Sequence, residues 1–125
     1  MPTEEHMRAA MQKYLDALNA LDVVGALALF GQGSTVEDPV GSGVAPAIER
    51  LPEMFGQIPD GATFVLDTPI RTSHGNAAAM AFTTRVILDG EPIEVRAVDV
   101  MEFDDEGWIT HMNAYTGPSD VIRGR

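Results

Sequence analysis

Residues 77–115 read AAAMAFTTRVILDGEPIEVRAVDVMEFDDEGWITHMNAY, three runs of alternating apolar and polar residues separated by two short breaks. Side chains of a strand point alternately to its two faces, so a period of two marks a strand with one face buried. The runs are Ala77–Leu88, Pro92–Asp104 and Trp108–Tyr115. Asp89-Gly90 joins the first two and Asp105-Glu106-Gly107 the last two. Asp-Gly suits a two-residue hairpin because both turn positions need positive φ. A shorter run, Ala62–Thr68, precedes them, and the four together predict an antiparallel meander.

The alternation also exposes an anomaly. Val95, Ala97, Met101 and Phe103 share one face of their strand, and Asp99 lies in the middle of that face. Glu94, Arg96 and Glu102 project from the other. The adjoining strands present Met80, Phe82, Thr84 and Val86 on one side and Met112, Ala114 and Thr116 on the other. Asp99 is therefore expected in an apolar layer, where aspartate is rarely found without a partner. A buried ion pair with Arg85 or Arg96 is the structural alternative, but the alternation sends Arg96 to the opposite face.

Upstream the period changes to that of helices. Thr3 is a candidate N-cap, with Glu4 and Glu5 in the first turn where carboxylates complement the helix dipole. Met7, Met11, Tyr14 and Leu18 recur at helical spacing and form one buried stripe, so Tyr14 faces the interior. A second helix is expected from near Asp22, carrying Val23, Leu27 and Phe30 and stopping at Gly31. A short strand over residues 34–38 follows, then a helix around residues 45–57 that Pro52 interrupts. Helices followed by a meander describe an α+β domain whose sheet curls around the helices to enclose a pocket.

The chain has 125 residues, 45% of them apolar, which suits a single domain over residues 1–125. Its formal net charge of −11 argues against nucleic acid or an anionic membrane as partner. His6, His74 and His111 lack metal-ligand spacing, there is no cysteine, and no phosphate-binding glycine loop occurs. Neither metal nor cofactor is expected. The opening MPTEEHMRAA has neither the basic start nor the apolar middle of a signal peptide, and a cytoplasmic location is the expectation.

The chemistry follows from environment. Burial penalises the charged form of Asp99, and a protonated acid donates a hydrogen bond, as does the phenol of Tyr14. Two donors converging in a dry pocket suit a developing oxyanion. In TVEDPVG, residues 35–41, Asp38 sits at a strand end beside a Pro-Gly break, where partial hydration keeps it ionised and able to take a proton from carbon. Taken singly, each residue has an ordinary reading: an aspartate before proline is a turn residue, and a tyrosine on an apolar stripe is core.

Taken together, MQKYLDALNALDVVGALALF (residues 11–30), STVEDPVGSG (34–43) and VRAVDVMEFDDEGWITHMNAY (95–115) resemble the bacterial steroid Δ5-3-ketoisomerases of the nuclear transport factor 2-like superfamily. That family is itself the reference instance of a protonated aspartic acid in an oxyanion hole. The resemblance implies a cone-shaped fold, a homodimer and cofactor-free conversion of 3-oxo-Δ5 steroids to their Δ4 isomers. It implies Asp38 as the base carrying a proton from C4 to C6, and Tyr14 and Asp99 as donors to the dienolate oxygen. Leu18, Met80, Phe82, Thr84, Val95, Ala97, Met112, Ala114 and Thr116 are the expected substrate contacts. Phe30 and Phe55 stand where the family extends the phenol's hydrogen bonds through further tyrosines. Thr116 replaces an aromatic near the base, at a place where its hydroxyl is expected within reach of Asp38. The alternatives are a polyketide cyclase or epoxide hydrolase using the same hollow cone, and a non-catalytic module for hydrophobic ligands or dimerisation.

Overall fold

The structure is a computed structural model describing residues 1–124. Strands β4 (Ala77–Leu88) and β5 (Glu91–Phe103) pair along their whole length, from Ala77 opposite Glu102 to Leu88 opposite Glu91. The turn between them has φ 51° at Asp89 and 78° at Gly90, the double positive φ that this dipeptide supplies at little steric cost. β6 (Ile109–Tyr115) follows antiparallel to β5, and β3 (Thr63–Leu66) lies along the far side of β4. The meander read from the sequence is thus present.

The sheet continues beyond it. β1 (Phe30–Glu37) lies parallel to β6, and β2 (Ala45–Pro46) closes that edge antiparallel to β1, giving the order β2-β1-β6-β5-β4-β3. A last short strand, β7 (Val121–Arg123), pairs with Ile93–Val95, the half of β5 that β6 does not cover. The result is a curved, unclosed mixed sheet rather than a purely antiparallel one.

Three helices pack on it. α1 (Glu4–Ala20) is capped by Thr3, whose hydroxyl oxygen accepts from the His6 amide at 3.0 Å. Its buried stripe contains Met7, Met11, Tyr14 and Leu18, as the spacing requires. α2 (Val23–Leu27) is shorter than expected and ends before Phe30, which instead begins β1. Pairing with β6 takes the segment over: the Leu29 carbonyl accepts from the Ile109 amide at 3.0 Å. α3 (Ala47–Gly56) accommodates Pro52 without stopping and buries Ala47, Leu51 and Phe55.

Strict alternation puts Ile109 on the outer side of the sheet, yet it is fully buried. A bulge lies between Glu102 and Phe103 in the β5–β6 register, with Glu102 opposite His111 and Phe103 opposite Ile109, so Thr110 is the extra residue. An extra residue inverts the facing of everything before it. No helix among the described residues is long and apolar enough to cross a membrane.

The tie between helix layer and sheet includes a side chain acting as strand. Asn19, at the end of α1, donates from its amide nitrogen to the Phe64 carbonyl at 2.9 Å and accepts from the Phe64 amide at 2.8 Å. Asn19→Ala leaves both backbone groups of Phe64 without these partners. We expect a loss of about 1–3 kcal/mol, read as a lower urea midpoint at unchanged slope.

Candidate active site

Tyr14 from α1, Asp38 from the end of β1 and Asp99 from the middle of β5 open onto one cavity of about 160 Å³. Its remaining wall comes from Leu18, Phe82, Thr84, Val95, Ala97, Ala114 and Thr116, with Met54, Ile58 and Phe64 completing it. Seven of the nine expected contacts are therefore on the wall. Met80 and Met112 are not: both are fully buried behind it. Met80 sits directly opposite Asp99 across β4–β5 and fills core instead of touching the cavity. Met54 and Ile58 escaped the sequence reading because they belong to α3 and the turn after it, where no sheet alternation marks the inward side.

Asp99 is 2% exposed and Tyr14 1%. Its strand neighbours across the sheet are Met80 and Ala114, neither able to solvate an anion. The two arginines that offered a structural explanation are engaged elsewhere: Arg85 Nε lies 3.3 Å from Glu94, and Arg96 Nη2 lies 3.8 Å from the same carboxylate. Burial accordingly pushes the Asp99 carboxyl well above the usual carboxylate range, and the Asp38 charge pushes it further. Tyr14 is raised well above the ordinary phenol value by burial first, then by Asp99 and Asp38, with Arg50 opposing. Burial thereby favours the proton-donating form of both groups.

Among the described residues, neither the Tyr14 hydroxyl nor the Asp99 carboxyl is spent on a protein hydrogen bond. No buried side-chain oxygen is both sealed from solvent and unpartnered, so each keeps a face open to the cavity. Phe30 and Phe55 meet the Tyr14 ring edge-on, with centroids 6.1 and 6.4 Å away. They fix the ring by packing and offer its oxygen nothing.

Asp38 is only half-buried and follows β1 directly. The loop that carries it is built locally. The Glu37 carboxylate accepts from the Gly41 amide at 2.8 Å and the Gly43 amide at 3.3 Å, both glycines at φ near 100°. The Val40 amide donates to the Ala114 carbonyl at 2.8 Å, fastening the loop to β6. Burial raises the Asp38 carboxyl from its ordinary value, while the Arg50 guanidinium works against that rise. The result is a stronger base than a surface aspartate. Thr116 does not serve it: its hydroxyl donates to the Arg96 carbonyl at 2.8 Å.

A larger hollow of about 450 Å³ lies on the outer face of the sheet, beside Val40, Asp67, Arg96, Val98, Tyr115 and Asp120. Size does not make it the better candidate, since Tyr14, Asp38 and Asp99, the groups that burial perturbs, converge on the smaller cavity. Among the described residues no cluster of three or more His, Asp or Glu side chains is arranged to hold a metal ion.

An open, curved sheet with three helices across it is the α+β cone architecture, and sequence comparison narrows the class. Residues 11–112 match the family model of the SnoaL-like domain. The chain belongs to this family, part of the nuclear transport factor 2-like group. It is 31% identical over 118 residues to the steroid Delta-isomerase of Nocardioides simplex, spanning 93% of this chain and 94% of that one. Among solved structures it superposes with a TM-score of 0.84 on SalBIII, an epoxide hydrolase/cyclase-like enzyme in pyran ring formation in polyether salinomycin. That match covers 97% and 98% of the two chains at 24% identity, which is a likeness of fold.

The raised carboxyls carry a consequence for stability. A group that holds its proton more tightly when folded contributes stability that is complete below the ordinary carboxylate range and is lost as pH rises through the folded value. Asp99→Asn removes that loss. The difference in Tm between Asp99→Asn and wild type should therefore become more positive from pH 5 to pH 8; a difference independent of pH would mean the carboxyl is already ionised at pH 5.

Proposed function

We propose that the protein is a cofactor-independent steroid Δ-isomerase that converts 3-oxo-Δ5 steroids into 3-oxo-Δ4 steroids. The observation that carries this reading is the convergence of two buried proton donors and one half-buried carboxylate on a single apolar cavity. Kinship with a steroid Delta-isomerase over nearly the whole chain supports it.

In the first step Asp38 takes a proton from C4. The electron pair of that C–H bond moves into the ring system and onto the C3 oxygen, forming a dienolate. Tyr14 and Asp99 donate hydrogen bonds to this oxygen, strongest when it is most negative, which lowers the barrier more than it stabilises the bound ketone. The protonated Asp38 then returns its proton to C6, the oxygen's charge flows back, and the double bond now lies between C4 and C5. Base and acid are the same carboxyl, so no proton is lost to water. A cavity of about 150 Å³ lined by apolar residues holds one benzene ring. The similar volume here suits the reacting ring.

A cyclase or epoxide hydrolase reading draws on the fold shared with SalBIII. The hydrolase form needs an arginine between two aspartates around a water. Here Arg50 donates to the Asp38 main-chain carbonyl at 2.8 Å, and among the described residues Asp99 has no arginine partner, which favours the isomerase. A non-catalytic module would have no use for two donors left unpaired toward a cavity.

Mixing the protein with a Δ5-3-ketosteroid should produce the ultraviolet absorbance of a conjugated enone. Asp38→Asn should lower that rate by about 10² to 10⁴, and Tyr14→Phe by about 10² to 10³, with circular dichroism unchanged. A wild-type protein that forms no enone ends this reading, and turnover that survives Asp38→Asn points to a different base.

We further propose a homodimer formed through the outer sheet face. Val98 and Tyr115 are cross-strand neighbours there, 39% and 47% exposed, and together offer apolar surface that a partner could cover. Sedimentation equilibrium should return twice the chain mass, and Val98→Glu should return the single mass; a wild-type monomer would refute this assembly.

A further inference from the structure

The mechanism above uses Asp38 but leaves open what aims it, and no sequence signal singles out the residue that stands behind it. Arg50 lies on α3 with its side chain only 22% exposed, unusually withdrawn for an arginine. One arm, Nη1, meets the Glu53 carboxylate at 2.9 Å one helical turn on. The other, Nη2, donates at 2.8 Å to the backbone carbonyl of Asp38. Among the described residues, this is the hydrogen bond by which a side chain of the helix layer reaches the base's own peptide.

The choice of acceptor matters chemically. An arginine paired directly with the Asp38 carboxylate would lower its proton affinity by roughly 1–3 pH units and hold the side chain in one rotamer. Both effects oppose a base that must accept a proton at one carbon and release it at another. Bonded to the main chain instead, the guanidinium fixes the residue and leaves both carboxylate oxygens free to swing across the cavity.

Resting on the isomerase reading, we propose that Arg50 is the positioning residue of the base: it clamps the Asp38 peptide to α3 and presents a positive charge to the carboxylate without pairing with it. The groups facing Asp38 are few. Tyr14 comes from α1 and Asp99 from β5, both pushed toward their neutral forms by burial; Arg50 comes from α3 with Glu53 partly cancelling it. Glu37 turns away to the Gly41 and Gly43 amides, and His111 of β6 is engaged with Thr35 and Asn113. Arg50 also opposes the burial that raises the Asp38 carboxyl.

Arg50→Gln, Arg50→Lys and Glu53→Gln separate clamp from charge. Each is followed by ¹³C NMR titration of the labelled Asp38 carboxyl and by the pH profile of kcat/KM on a Δ5-3-ketosteroid. Arg50→Gln should move both midpoints to higher pH and lower the plateau by about tenfold to a hundredfold, the scale of a misplaced reacting group. Arg50→Lys should restore the midpoint but not the plateau, because a point charge replaces a planar fork. Glu53→Gln, by unmasking Arg50, should move the midpoint the other way. An Asp38 titration unmoved by Arg50→Gln, or moved equally by Arg50→Lys, overturns the proposal. If wild type forms no enone the isomerase reading fails, while the carboxyl titrations still decide whether Arg50 governs Asp38.

Discussion

The exclusion of water around Asp99 is the constraint from which the rest of the site follows. A carboxyl between Met80 and Ala114, with no cation beside it among the described residues, is cheaper to keep protonated than ionised. Kept protonated, it is a hydrogen-bond donor in a place where donors are scarce, and the same dryness raises Tyr14 and makes Asp38 a stronger base. One physical cause thus pushes all three groups toward their protonated forms, further at buried Asp99 and Tyr14 than at half-buried Asp38. The sheet supplies it, since β5 is flanked on both sides by β4 and β6 at residue 99.

The difference in environment between the two aspartates is topological. Asp99 is in the middle of the longest strand, where every neighbour is paired; Asp38 is one residue past a strand end, in a loop shaped by Glu37 and fastened to β6 by Val40. Depth gives two chemically identical groups different surroundings, and burial raises the carboxyl of Asp99 further than that of Asp38. Phe30 and Phe55 add to this by holding the Tyr14 ring without hydrogen-bonding its oxygen, leaving that oxygen for a ligand. A fold shared with an epoxide hydrolase/cyclase-like enzyme shows that the cone alone does not select a reaction; the polar groups on its wall must.

The local pattern along the chain was enough to determine α1 with its Thr3 cap and Tyr14 stripe, the β3–β6 meander, the Asp89-Gly90 hairpin and the inward direction of Asp99. These rest on periodicity and turn chemistry, which act over a few residues. Tertiary structure alone decided that Phe30 leaves its helix to pair with β6, that a bulge turns Ile109 into the core, and that β1 enters the sheet parallel. It also decided that Met80 and Met112 lie behind the cavity, that Thr116 serves Arg96, and that Arg50 reaches the peptide of Asp38. Each of these depends on contacts between segments far apart in sequence, whose distances no local period encodes.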